Sequence, residues 1–258
     1  MEAPLRRRAL AELVGTAALV AVVVGSGIQA AELTQDAAVR LLANALATVL
    51  GLGVLIALLG PVSGAHFNPA VTLALWWTGR RDGTGPTPRD VAAYLPAQTL
   101  GAVGGAVLAN ALFAGPLVSL SAHDRSAGHL RLAETVATGG LVLLVLGLGR
   151  TGRRHLAPVL VASYIGAAYW FTSSTAFANP AVTVGRAFSD TFAGIAPASV
   201  PPFVAAQILG ACTGVVLAAA LFGRTPEAGR TAEADLAPEA GPTPEAGPVP
   251  APIREVPT

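Results

Sequence analysis

Apolar positions in this chain come in long blocks and do not alternate with polar ones. Six blocks approach the roughly 20 residues needed to cross a hydrocarbon core. They predict full spans at 9–30, 38–60, 88–114, 131–149, 157–173 and 200–222. Two further apolar segments, 69–78 and 180–188, are too short to cross, and each starts with the same tripeptide, Asn68-Pro69-Ala70 and Asn179-Pro180-Ala181. Proline suits the first helical turn, where its missing N–H would be unpaired anyway. An asparagine before it can cap the helix. Each tripeptide therefore predicts a half-helix whose positive dipole end stops inside the membrane.

The repeat extends beyond the tripeptide. Ala11-Glu12-Leu13-Val14-Gly15-Thr16 is echoed by Ala133-Glu134-Thr135-Val136-Ala137-Thr138. Ala97-Gln98-Thr99-Leu100-Gly101-Ala102 is echoed by Ala206-Gln207-Ile208-Leu209-Gly210-Ala211. Each half reads as a Glu-bearing helix, a second helix, a half-helix and a Gln-bearing helix. Three full spans per half is an odd number, so the second half inserts upside down relative to the first. The expected fold class is an all-α membrane protein: six transmembrane helices plus two membrane half-helices in an inverted repeat. The repeats cover about 9–114 and 131–223. Residues 1–8 read as a cytoplasmic N-terminal segment, and 224–258, poor in large apolar residues, as a disordered cytoplasmic tail.

Composition agrees. The chain is 53% hydrophobic and only 12% charged, about half the charge usual in soluble domains. A net charge of +1 gives no footing for a nucleic-acid partner. All sixteen basic residues are arginine. Arg6, Arg7, Arg8, Arg80, Arg81, Arg89, Arg150, Arg153, Arg154 and Arg224 fall on one side of a six-span arrangement. Arg40, Arg125, Arg131 and Arg186, diluted by Glu32, Asp36, Asp124 and Asp190, fall on the other. The positive-inside rule then puts both termini in the cytoplasm and the chain in the inner membrane. Met1 to Arg8 is too short to argue for a cleaved leader. The single cysteine, Cys212, leaves no intramolecular disulfide. No His/Cys/Asp group has metal-ligand spacing, and no phosphate loop or nucleophile elbow occurs, so neither cofactor, metal nor catalysis is expected.

The candidate chemistry sits on the repeats. The side-chain amides of Asn68 and Asn179 each carry two N–H donors, which a capped half-helix can aim at a passing hydroxyl. Caps alone do not require the same triplet in both inverted halves. Glu12 and Glu134 are carboxyls inside spans, which suggests function by default and a proton relay in its boldest form. Their symmetric placement favours structural support, with Gln98 and Gln207 in the same role. Gly101, Gly104, Gly105, Gly210 and Gly214 suit close helix crossings. His66 reads as a loop-packing residue.

The order and motifs over 9–223 resemble the aquaporin, or major intrinsic protein, family. That resemblance implies a passive channel, a homotetramer, and Glu12 and Glu134 binding the loops before each half-helix. The family's second motif usually continues with an arginine that narrows the outer mouth. Here that position is Val182. By counting from the motifs, the other constriction positions map onto Thr48, Gly166 or Ala167, and Ala176. Such a ring is wide and mostly apolar. Arg186, one helical turn beyond Val182, is expected at the outer surface, facing water or headgroups; the alternative is that it turns back toward the mouth. Asn179-Pro180-Ala181-Val182 with Gly185-Arg186-Ala187-Phe188-Ser189-Asp190 is also similar to bacterial aquaglyceroporins associated with arsenic resistance. The resemblance implies permeation of glycerol-like polyols, arsenous acid or related arsenicals, and water. The competing readings are a water-selective channel, a secondary transporter and a non-conducting scaffold.

Overall fold

The computed structural model describes residues 3–80 and 82–223. The expected tail at 224–258 lies outside them. Among the described residues there are eight α-helices: α1 (Leu5–Leu33), α2 (Ala37–Ser63), α3 (Pro69–Gly79), α4 (Pro88–Leu112), α5 (Gly128–Arg150), α6 (Ala157–Phe171), α7 (Pro180–Arg186) and α8 (Val200–Phe222). This is the expected fold class, six spans and two half-helices. α1 begins earlier than its apolar block, so Arg6 to Arg8 lie inside its first turns. Arginine is a good helix former, and its stem can reach toward the headgroup region. Among the described residues, five helices are long and apolar enough to cross a bilayer by themselves. α6 is shorter, 15 residues, and is preceded by a 3-10 turn, Arg154–Leu156. It stops at Phe171, before the expected 173, because Thr172 is already extended.

Local chemistry sets the helix ends. Asp36 caps α2 by accepting from the backbone N–H groups of Ala38 and Val39 at 2.8 and 2.9 Å. Gly64, at φ 90°, closes the same helix in the left-handed region. Thr87 and Asp90 form a reciprocal capping box on α4, and Asp90 also pairs with Arg8 of α1 at 2.7 Å.

Packing repeats with the sequence. α1 runs along α4 as α5 runs along α8, and α2 meets α6 where the halves join. Each half-helix crosses to the other half: α7 rests on α4, and α3 on α8. Small residues allow the close crossings. A Cβ on Gly101 or Gly105 would lie 2.3 or 2.2 Å from backbone oxygens of α1, and one on Gly210 or Gly214 2.4 or 2.5 Å from those of α5. Gly104 has nothing within 4 Å, so it does not belong with the crossing glycines: it stands on the exposed side of α4. The outward faces are apolar, as in the α2 stripe Leu42, Leu46, Leu50, Val54 and Leu58. A water-facing surface would not carry such a stripe, whereas lipid or a neighbouring subunit accommodates it.

Candidate functional site

Both half-helices begin at a capping asparagine. Asn68 Oδ1 accepts from Ala70 N at 2.9 Å. Asn179 Oδ1 accepts from Ala181 N at 3.0 Å and Val182 N at 3.2 Å. The two ends are joined reciprocally: Asn68 Nδ2 donates to Ala178 O at 2.8 Å, and Asn179 Nδ2 to Phe67 O at 2.7 Å. Each amide nitrogen has two hydrogens, and one is used in this way. Both asparagines line the same cavity, where the second hydrogen remains to be offered. Pro69, Ala70, Pro180 and Ala181 are buried and do not line it; they shape the helix starts.

The loops before the half-helices are held open by the buried glutamates. Ala65 and Phe67 in one loop, and Ala176 and Ala178 in the other, have φ between 47 and 50°. Side chains with a Cβ adopt that region rarely, and only under firm support. Glu12 supplies it by accepting from His66 N at 3.0 Å, Phe67 N at 2.7 Å, Ser63 Oγ at 2.7 Å and Gln98 Nε2 at 2.8 Å. Glu134 does the same for Phe177 N at 2.9 Å, Ala178 N at 2.8 Å and Gln207 Nε2 at 2.6 Å. The glutamines complete the match by donating to Thr72 and Thr183 on the half-helices at 2.9 and 2.8 Å. Their Oε1 atoms are buried without a partner in both halves. A carboxylate that accepts only donors fixes the amide orientation and strands that oxygen. His66 packs edge-on to Tyr94 at 5.5 Å and its Nδ1 lies 3.1 Å from Thr72 Oγ1.

The cavity has about 130 Å³ open to water-sized molecules, room for several waters at roughly 15 Å³ each. Its wall is mostly aliphatic and runs from Gly64, His66 and Ala157 past both asparagines to Tyr169, Phe177 and Arg186. Of the positions mapped from the sequence, Thr48, Ala176 and Val182 line the cavity. Gly166 and Ala167 do not. A Cβ on Gly166 would meet Val49 of α2 at 2.5 Å, and Ala167 is exposed on the outward face. Both fall between Ile165 and Tyr169, the positions of α6 that face the cavity. α6 turns Ala157, Val161, Ile165 and Tyr169 toward the cavity, and the Tyr169 hydroxyl lies 3.2 Å from Thr48 Oγ1. Tyr169 makes this stretch of the wall less apolar than the residues mapped from the sequence would. The span holds two tyrosines, and only Tyr169 shares the helical spacing of Val161 and Ile165; Tyr164 instead donates to Ala137 O at 2.9 Å.

Arg186 also departs from expectation. It is only 2% exposed, not at the surface. Its Nε donates to Ala193 O, and its guanidinium carbon sits 3.4 Å from the centre of the Phe177 ring. Arg125, from the loop between α4 and α5, covers the same ring at 4.9 Å and binds Gly194 O and Ser174 O at 3.0 and 3.3 Å. Burial pulls its pKa down to about 10, which leaves it cationic at neutral pH.

Comparison with known proteins decides the family. The sequence model of the family described as "Major intrinsic protein" matches residues 2–175, more than half of the chain. The chain belongs to the major intrinsic protein family. Among the relatives of this family member, an aquaglyceroporin of Rhizobium meliloti, AqpS, is 49% identical over 84% of this chain and 90% of its own length. A glycerol uptake facilitator protein of Pseudomonas aeruginosa is 30% identical over 80% of this chain and 85% of its own. In structure, the chain is similar to the aquaglyceroporin from Plasmodium falciparum, with a TM-score of 0.62 at 20% identity, covering 86% of this chain and 97% of that one; that likeness speaks to the fold. Major intrinsic proteins of this kind are multi-pass membrane channels, not enzymes. The family match stops before Asn179, so the motif carrying Val182 lies outside it.

Proposed function

We propose that this chain is a passive channel for small uncharged solutes, among them glycerol-like polyols and arsenous acid or related arsenicals, with water passing as well. The observation that carries this reading is the cavity through the meeting point of two asparagine-capped half-helices. There, two amide N–H groups and two positive dipole ends face one file of solute. An oxygen-bearing neutral molecule finds donors at the midpoint, while a cation meets a positive potential. The pore residues are Asn68 and Asn179, and the constriction is formed by Thr48, Tyr169, Ala176 and Val182. The names of the relatives, an aquaglyceroporin and a glycerol facilitator, support the polyol class. Resemblance to the family further supports a homotetramer, and the arginine distribution supports cytoplasmic termini.

A secondary transporter would use membrane-buried carboxylates for ion coupling. Glu12 and Glu134 are instead committed to backbone and glutamine donors. Stopped-flow shrink–swell measurements on proteoliposomes decide the matter. Glycerol, arsenite and water should equilibrate down their gradients without an ion gradient. Accumulation of solute driven by a pH or sodium gradient would overturn the channel reading, and water flux without glycerol flux would make the pore water-selective.

A further inference from the structure

We propose that Arg186 is the fixed cation and hydrogen-bond donor of the mouth walled by α7. The cation-rejecting collar is then kept, one helical turn beyond the position where Val182 leaves it out. This inference rests on the channel reading above. Arg186 is nearly fully buried yet lines the cavity. Its orientation is fixed twice, by the Nε bond to Ala193 O and by the face of Phe177. A guanidinium has five N–H donors. Nε uses one, and the four on the terminal nitrogens have no protein acceptor among the described residues. Neither terminal nitrogen is a sealed, orphaned group, so they open onto the cavity.

Arg125 shares the Phe177 ring, and neither arginine has a carboxylate ion pair among the described residues. The acidic groups nearby are engaged elsewhere: Glu134 holds Phe177 N and Ala178 N, Asp190 accepts from Ala122 N, and Asp124 accepts from Ser126 and Ser199. Two guanidiniums in a low-dielectric mouth repel cations far more than they would in water. Thr48 and Tyr169 line the same cavity, their hydroxyls 3.2 Å apart. The ligand class is an uncharged molecule with several oxygen atoms, a polyol or a neutral oxyacid, whose lone pairs take the guanidinium N–H groups while its own hydroxyls meet Tyr169 and Thr48.

The test reconstitutes the full chain with Arg186→Met, which keeps the apolar stem, and Arg186→Lys, which keeps a charge without the planar fork. Water and glycerol rates come from shrink–swell traces, and proton and potassium leak from a pH dye under an imposed potential. Arg186→Met should raise cation leak on the order of tenfold and lower the glycerol-to-water ratio. Arg186→Lys should hold the leak near the parent's value and still lower the ratio. If Arg186→Met is not recovered folded, Arg186→Lys and Phe177→Leu carry the test, the latter lowering the ratio without raising the leak. Parent-like leak and ratio in every recovered variant would reduce Arg186 to a structural residue. A parent that passes neither water nor glycerol would instead remove the channel reading itself.

Discussion

At the scale of single residues, Asn68 and Asn179 do two jobs with two ends of one amide. The oxygen caps its own half-helix, and the nitrogen ties that helix to the carbonyl before its counterpart. Asn→Asp separates the jobs. An aspartate retains the capping oxygen but cannot donate to Ala178 O or Phe67 O. Loss of one such bond costs about 1 kcal/mol, so either variant should fold with a modestly lower Tm. The added negative charge offsets the half-helix dipoles at the midpoint. Proteoliposomes carrying Asn68→Asp or Asn179→Asp should leak cations and pass glycerol at an altered rate. Cation exclusion and neutral flux both equal to the parent's would show that the asparagines do not form the pore centre.

At the scale of elements, the half-helices depend on loops that a chain of ordinary residues would not adopt unaided. Glu134→Ala leaves the N–H groups of Phe177 and Ala178 without an acceptor, about 1–3 kcal/mol for each. The variant should show a lower Tm in detergent and reduced recovery, and Glu12→Ala should behave alike. No change in Tm would mean that the loop is held by something else. The helix crossings give a paired test on one helix. Gly105→Ala pushes a Cβ to 2.2 Å from Ala17 O and must part α1 from α4, at about 1–3 kcal/mol. Gly104→Ala meets nothing within 4 Å and should leave the thermal transition in place or raise it slightly. Equal effects at the two positions would contradict the α1–α4 packing.

At the scale of the whole molecule, what could be read from the sequence was what is written twice. Asn-Pro-Ala and the Glu and Gln segments are local patterns, and their inverted repetition suffices to specify the spans and the two half-helices. Features that depend on chain segments meeting from afar were not legible. Tyr169 continues the helical stripe of Val161 and Ile165, but that this stripe of α6 meets Thr48 of α2 depends on the packing of distant segments. Arg186 is buried only because Ala193 O and the ring of Phe177 come to meet it. The mouth is therefore the part where sequence counting is weakest, and Val182 is the position where one substitution questions it most directly. Val182 lines the cavity one turn from Arg186 on the same short helix. Val182→Arg places a second guanidinium in the lumen beside the first. The bulk narrows the opening, and the new donors serve only molecules small enough to pass it. Glycerol and arsenite permeability should fall several-fold while water permeability falls less, in stopped-flow rates normalised to protein in the bilayer. Like-charge repulsion from Arg186 should also lower Tm, and Arg186→Met in the same chain should recover part of that loss. If glycerol and water rates scale down together, the variant has reduced the number of working channels and Val182 does not set their width. The constriction of Thr48, Tyr169, Ala176 and Val182 would then have to be sought elsewhere along the cavity.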